Sequence, residues 1–229
     1  MLIIAHRGAS TLAPENTLKA FTLAFEQQSD GIEFDTYQHD DAIVVFHDKT
    51  LGRTTNGSGL LLQTPLAMLK QLDAGEGEVI PTLEEVLTTL PNGALCNIEV
   101  KHLRNAETWV KDVKQAVEDA QVNSNTLLIS SFNHHWLAAI SALWPQVAIG
   151  ALTATYALDA THCARQLKAK SINIALDVVN ADFVNTAKQA GLDVYVYTVD
   201  EPEDMLQLKF WGVTGIFTNV PNIAKQVLN

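Results

Sequence analysis

From about residue 95 onward, short β-branched runs alternate with amphipathic helical runs, and this alternation restricts the possible folds more than any other feature of the chain. The extended runs are LCNIEVK (95–101), TLLISSF (126–132), VAIGALT (147–153), SINIALD (171–177), DVYVYTV (193–199) and TGIFTN (214–219). Between the first two lies a helical run, 107–120, in which Trp109, Val113, Ala116, Val117 and Ala120 recur every three or four residues. The runs 180–191 and 201–212 each open with helix-start chemistry and close on glycine. Strand followed by helix, repeated in this way, predicts parallel strands joined by right-handed crossovers. The first third follows the same scheme, with strand LIIAH (2–6), helix 16–28, strand 31–37 and an additional extended run, AIVVFHD (42–48). Two strands here and six later make eight, the number that closes a (β/α)8 TIM barrel with a short additional segment after the second strand. An open doubly wound sheet is the competing architecture, but neither GxGxxG nor GxxxxGK[ST] occurs to favour it.

A chain of 229 residues with 47% hydrophobic content suits one α/β domain over 1–229 better than two small ones. With 15 basic against 26 acidic residues the net charge is −11, which leaves no broad positive field for nucleic acid or for stable association with an anionic membrane. An anionic substrate would need a local inversion of charge, from a metal ion or a few placed cations. Cys96 and Cys163 are too few and too far apart for a disulfide framework or a thiolate zinc site, and read as reduced residues of a cytoplasmic protein. The start MLIIAHRG has neither the basic region nor the apolar length of a signal peptide, and no segment is long and apolar enough to span a bilayer. Nothing in the pattern specifies an oligomeric state.

In a barrel, the C-terminal ends of the strands share one mouth. His6 and Arg7 end the first strand, Glu33 and Asp35 lie in the second, His47 and Asp48 end the additional run, and Glu99 and Lys101 lie in the strand 95–101. Period-two alternation puts Glu33 and Asp35 on one face, and likewise Glu99 and Lys101. Converging carboxylates repel one another and lose hydration, which a hard divalent cation would relieve. Oxygen-only donors suit Mg²⁺, Ca²⁺ or Mn²⁺ better than zinc. The competing reading pairs the three acids with Arg7 and Lys101 as buried salt bridges. His6 and His47 have side chains whose ordinary pKa suits proton transfer near neutrality. The other histidines, His39, His102, His134, His135 and His162, fall in turns or at helix starts and read as solvated or capping. In APENT (13–17), Asn16 reads as a helix N-cap, which leaves Glu15 free to meet a substrate or to orient Arg7. Phe132 and Tyr197, aromatics at later strand ends, read as core packing or as a wall of the substrate pocket. The run PTLEEVLTTL (81–90) is an amphipathic helix with acids in its first turn.

In order and over essentially the whole length, AHRGASTLAPENTLKAF, GIEFDTYQ, VVFHDKTLGRTTNGSG, IPTLEEVL, NIEVK, SSF and GVTGIFTNVP resemble the glycerophosphodiester phosphodiesterase family. The resemblance implies a TIM barrel that hydrolyses small-molecule glycerophosphodiesters to sn-glycerol 3-phosphate and an alcohol with a divalent metal ion. It implies further that His6 and His47 are the general acid and base pair, and that Glu33, Asp35 and Glu99 are metal ligands. Arg7 and Lys101 would face the phosphate, and Glu15 would lie near the metal. The chain departs from the family pattern at four places. Asp40-Asp41-Ala42 stands where Asp-Gly is usual, and the aromatic segment common before IPTLEE is missing. Tyr197 stands for a tryptophan, and Asn219 for a frequent aspartate.

Overall fold

The computed structural model describes residues 1–40, 42–159 and 161–228. Eight parallel strands close into a barrel: β1 (Leu2–His6), β2 (Gly31–Gln38), β4 (Leu95–His102), β5 (Leu127–Ser131), β6 (Ala148–Thr153), β7 (Ser171–Ala175), β8 (Asp193–Tyr197) and β9 (Gly215–Thr218). Pairing of β1 with both β2 and β9 completes the ring. The short β3 (Ile43–Val45) runs antiparallel on the outer edge of β2. The expected TIM barrel is therefore the fold.

Helices α1 (Leu18–Glu26), α3 (Leu83–Leu87), α4 (Ala106–Asp119), α5 (His134–Leu143), α6 (His162–Leu167), α7 (Ala181–Gln189), α8 (Pro202–Trp211) and α9 (Pro221–Leu228) accompany the strands, and α2 (Leu66–Leu69) is a single turn within the additional segment. Their starts follow local chemistry. Thr82 and Glu85 form a reciprocal capping box on α3, Asn105 caps α4, and Pro202 opens α8, which ends on Gly212 in the left-handed region at φ 78°. The stripe expected on α4 is buried at Trp109, Val113, Ala116 and Val117, and half-buried at Ala120.

Strand alternation divides two environments. On β2, Ile32 and Phe34 face the helices, where Phe34 meets Phe21 of α1 with ring centroids 5.7 Å apart. Each such side chain, fully buried, contributes about 1.5–3 kcal/mol. Ile4, Leu128, Tyr195 and Phe217 fill the barrel axis. Gly31 permits the close approach of β2 to β4, because a Cβ there would lie 2.3 Å from the Leu95 carbonyl oxygen.

Six of the extended runs are shorter than expected, by one to four residues, and two of them show why. After Ala175, residues 176–178 coil into a 3-10 turn. Of 42–48 only Ile43–Val45 is strand, because Phe46 turns into a separate apolar cluster with Tyr37, Val44, Leu51, Leu61, Leu69, Ala74 and Ile80. Residues 46–80 thus fold over a small core of their own. Of the stretch Asp40-Asp41-Ala42 that precedes β3 in sequence, Asp41 lies outside the described residues.

Candidate active site

At the end of β1 the chain enters a tight turn in which Arg7 and Gly8 adopt φ 58° and 84°. Left-handed backbone at a residue with a Cβ costs about 1–3 kcal/mol and persists only where surroundings enforce it. Here the Arg7 amide donates to the Glu33 carbonyl oxygen at 2.9 Å, and the Asn16 amide to the Arg7 carbonyl at 3.0 Å. The result aims Arg7 back across the mouth.

Strand register assembles the acids. His6 pairs with Glu33, and Asp35 with Glu99, so the inward side chains of β1, β2 and β4 meet at one level. Glu33, Asp35 and Glu99 each present an oxygen within 4.8 Å of the others. Burial pushes the Glu33 carboxyl well above the usual range, reinforced by Asp35 and Glu99, and burial followed by Asp35 pushes Glu99 up to about 7.

Distances separate salt bridging from cation binding. Arg7 Nε lies 3.2 Å from Asp35 Oδ2, and Lys101 Nζ lies 3.0 Å from Glu99 Oε1 and 3.6 Å from Asp35 Oδ1. Pairing therefore accounts for Asp35 and Glu99. Among the described residues Glu33 has only the Arg7 backbone amide at 3.1 Å and His6 Nε2 at 3.9 Å. Buried Glu33 Oε1 and Asp35 Oδ1 have no hydrogen-bond partner among the described residues. Two buried carboxylate oxygens without a hydrogen bond, one of them 3.6 Å from the Lys101 ammonium, in an all-carboxylate donor set, fit a hard divalent cation.

Both histidines reach this level. His6 Nδ1 lies 2.8 Å from Asn219 Oδ1, and burial, then Arg7, lowers its pKa against the opposing pull of the Asn219 hydrogen bond. His47, carried by the additional segment, has Nδ1 2.5 Å from Asp48 Oδ1 and Nε2 3.4 Å from Lys101 Nζ. Glu15 does not stand free: it accepts from Arg7 at 2.9 Å and from Arg53 at 2.8 and 2.7 Å. Phe132 is exposed and meets Tyr197 edge-on at 6.0 Å, while the Tyr197 hydroxyl donates to the Thr153 carbonyl. Tyr197 also lines a cavity of about 20 Å³ with His6, Glu33 and Glu99.

Several residues depart from expectation. Asn16 is not the cap of α1; Thr17 is, accepting from the Ala20 amide. Asn16, at φ 58°, instead donates to Asp35 Oδ2 at 3.0 Å. His39 is buried with Nε2 3.0 Å from the Thr64 carbonyl oxygen, so it is not solvated, and half-buried His102 ends β4 and stacks on Tyr37 at 6.2 Å, in neither a turn nor a helix start. His134 stands at a helix start, as expected, with Nε2 2.9 Å from the Leu152 carbonyl oxygen.

Arg53 escaped the sequence reading, although it lies inside the quoted run VVFHDKTLGRTTNGSG. It grips Asp48 at 2.6 and 3.0 Å and Glu15 on its other edge, linking the loop of His47 to the loop of Arg7. Two carboxylates on one guanidinium use the planar fork that lysine lacks. Arg53→Lys is therefore expected to lower kcat about 10-fold or more through misplacement of His47 and Arg7. Steady-state kinetics would check this, with melting temperature as control, since Arg53 is half exposed.

Known proteins match this chain over nearly its whole length. Residues 6–223 match the sequence model of the glycerophosphoryl diester phosphodiesterase family. A glycerophosphodiester phosphodiesterase of Caldanaerobacter subterraneus subsp. tengcongensis is 36% identical over 234 residues, covering 96% of this chain and 94% of the relative. Among solved structures, an Oleispira antarctica phosphodiesterase in complex with the product sn-glycerol-3-phosphate superposes with TM-score 0.92 at 32% identity, covering 100% of this chain and 96% of that one. A putative glycerophosphodiester phosphodiesterase from Galdieria sulphuraria gives TM-score 0.89 at 28% identity, covering 100% and 98%. Over residues 6–223 and against a 36% identical relative covered to 94%, the match leaves one assignment: the chain belongs to the glycerophosphoryl diester phosphodiesterase family.

Proposed function

We propose that this protein hydrolyses glycerophosphodiesters to sn-glycerol 3-phosphate and an alcohol with the help of a divalent cation, Mg²⁺, Ca²⁺ or Mn²⁺, held by Glu33, Asp35 and Glu99. The observation that carries the reading is the set of bare, buried carboxylate oxygens flanked by two cationic side chains and two histidines. The family assignment and the product-bound neighbour support the substrate class.

When bound, the cation supplies positive charge that offsets the three carboxylates and polarises phosphoryl oxygens as a Lewis acid. Arg7 and Lys101 supply fixed donors toward the phosphate, where charge grows in the transition state. Glu15, held on both sides by arginine, keeps the Arg7 guanidinium in the mouth. One histidine takes the proton of the attacking hydroxyl and the other returns a proton to the departing alcohol oxygen. The attacking group is water or the glycerol 2-hydroxyl; the latter, being intramolecular, gains a high effective molarity and yields a cyclic phosphate that is then hydrolysed. Phe132 and Tyr197 wall the mouth on the side of β5 and β8.

Purified protein with glycerophosphocholine and Mg²⁺ or Ca²⁺ should release glycerol 3-phosphate and choline, and a chelator should abolish the release. Turnover undiminished after complete chelation would remove the cation from the scheme. Turnover confined to lysophosphatidylcholine would move the substrate class to lysophospholipids. A substrate lacking the 2-hydroxyl separates the two attacking groups, since full-rate hydrolysis of it excludes the cyclic route.

A further inference from the structure

The surroundings of His6 dictate which of its nitrogens carries hydrogen. Asn219 follows β9, and its Oδ1 lies 2.8 Å from His6 Nδ1. The Asn219 side chain is itself anchored, with Nδ2 donating to Asp200 Oδ2 at 2.6 Å and the backbone amide donating to Asp200 Oδ1 at 2.8 Å. Thr218 Oγ1 also donates to Asp200, at 3.1 Å. Ser10 Oγ lies 2.9 Å from Asn219 Oδ1 and 3.0 Å from the His6 carbonyl oxygen.

Chemistry fixes the direction of each bond. A carboxylate only accepts, so the amide atom facing Asp200 is the NH₂, and the atom facing His6 is the oxygen. That oxygen also only accepts, so His6 Nδ1 must be N–H. In a neutral imidazole this leaves the lone pair on Nε2, the nitrogen 3.9 Å from Glu33 Oε2. His47 reaches the same tautomer by a different route, through the carboxylate of Asp48 at 2.5 Å.

We infer that Asn219, held in one orientation by Asp200, is a positioning residue that locks His6 in the Nδ1–H tautomer, so that Nε2 alone exchanges protons with the reacting groups. The inference rests on the reading of His6 as one of the acid–base pair. Asp200 is as necessary as Asn219, because an amide without its anchor can turn and present NH₂ to Nδ1, which puts the imidazole hydrogen on the reactive nitrogen.

Three variants test the lock: Asp200→Asn, Asn219→Asp, and the two together. Spectra of ¹⁵N-histidine-labelled protein at pH 8 report which nitrogen of His6 is protonated, and His6→Gln identifies its signals. Asp200→Asn keeps the shape and the acceptor for the Asn219 backbone amide, and should shift His6 toward Nε2–H. It should also lower kcat about 10-fold or more, with KM within about two-fold. Asn219→Asp sets two carboxylates against each other and should also lose kcat. The double exchange restores one acceptor facing His6 and one amide behind it, and should recover the Nδ1–H signal and most of kcat. An Nδ1–H signal unchanged in Asp200→Asn, with kcat within two-fold, would overturn the lock. So would failure of the double exchange to recover either readout in a protein that melts normally. A changed tautomer with unchanged kcat would uphold the lock and remove His6 from the chemistry.

Discussion

Replacing Glu33 with glutamine is expected to lower kcat/KM about 10²-fold or more, at least what loss of an outer partner costs a metal site, while raising the melting temperature of the metal-free protein at pH 8. The two effects share one cause. Without a cation, Glu33 is a buried carboxyl beside two others, held up by desolvation first and by Asp35 and Glu99 next, with Glu99 pushed up to about 7. A carboxyl raised in the folded state binds more protons there than in the unfolded chain, so stability falls as pH rises. The window opens near the ordinary value of 4.5 and, for Glu99, closes near 7. A rise from 4.5 to about 7 corresponds to roughly 3 kcal/mol, shared across the coupled acids. Glutamine removes one charge from the cluster and so flattens the decline. Added cation should do the same for the native protein, by about 2.7 kcal/mol at a hundredfold excess over Kd, and much less for the variant. Calorimetric melts between pH 4.5 and 8, with and without chelator, check every part. Metal-free native protein that melts no lower at pH 8 than at pH 5 would contradict the account of the acids.

His47→Ala is expected to lose about 10²- to 10⁴-fold in kcat, the usual contribution of a positioned acid or base. Cation binding should survive, because His47 sits on the additional segment and the three acids sit on β2 and β4. Asp48→Asn should show a smaller loss, since it keeps a bonding group beside Nδ1 but withdraws the charge that Arg53 holds in place. Native kcat/KM should follow a bell-shaped dependence on pH, and His47→Ala should remove one limb of it. Calorimetric titration with Mg²⁺ or Ca²⁺ distinguishes loss of chemistry from loss of metal. Normal turnover by His47→Ala would exclude it from the mechanism.

What could be read in the chain differs between local and long-range features. The barrel was legible because strand–helix repetition is written in adjacent residues, and the shared face of Glu33 and Asp35 follows from a period of two. That Glu99 joins them depends on the register Asp35↔Glu99, a pairing between distant strands that no local pattern encodes. Asn16 shows how a one-residue offset misleads: asparagine is a good cap, but Thr17 took that place and left Asn16 in a left-handed turn facing Asp35. His39 looked solvated because burial is a property of the folded surface, and half-buried His102 meets the ring of Tyr37 only once β2 and β4 pair. Arg53 sits in a 3-10 turn without periodicity, and only the fold brings it between Asp48 and Glu15.

The small separate core beneath residues 46–80 has a consequence for which site residues move together. The barrel strands carry the acids, Lys101 and His6, whereas His47, Asp48 and Arg53 ride on a flap whose apolar cluster is largely its own. Its polar ties to the barrel include the join at β2, the grip of Arg53 on Glu15, His47 beside Lys101, and the pairs Lys70–Glu85 and Lys19–Glu76, which hold a separately packed flap in register with the mouth. A change confined to the packing of this flap should therefore move His47, Asp48 and Arg53 together, while Glu33, Asp35 and Glu99 stay fixed by the register of β2 and β4.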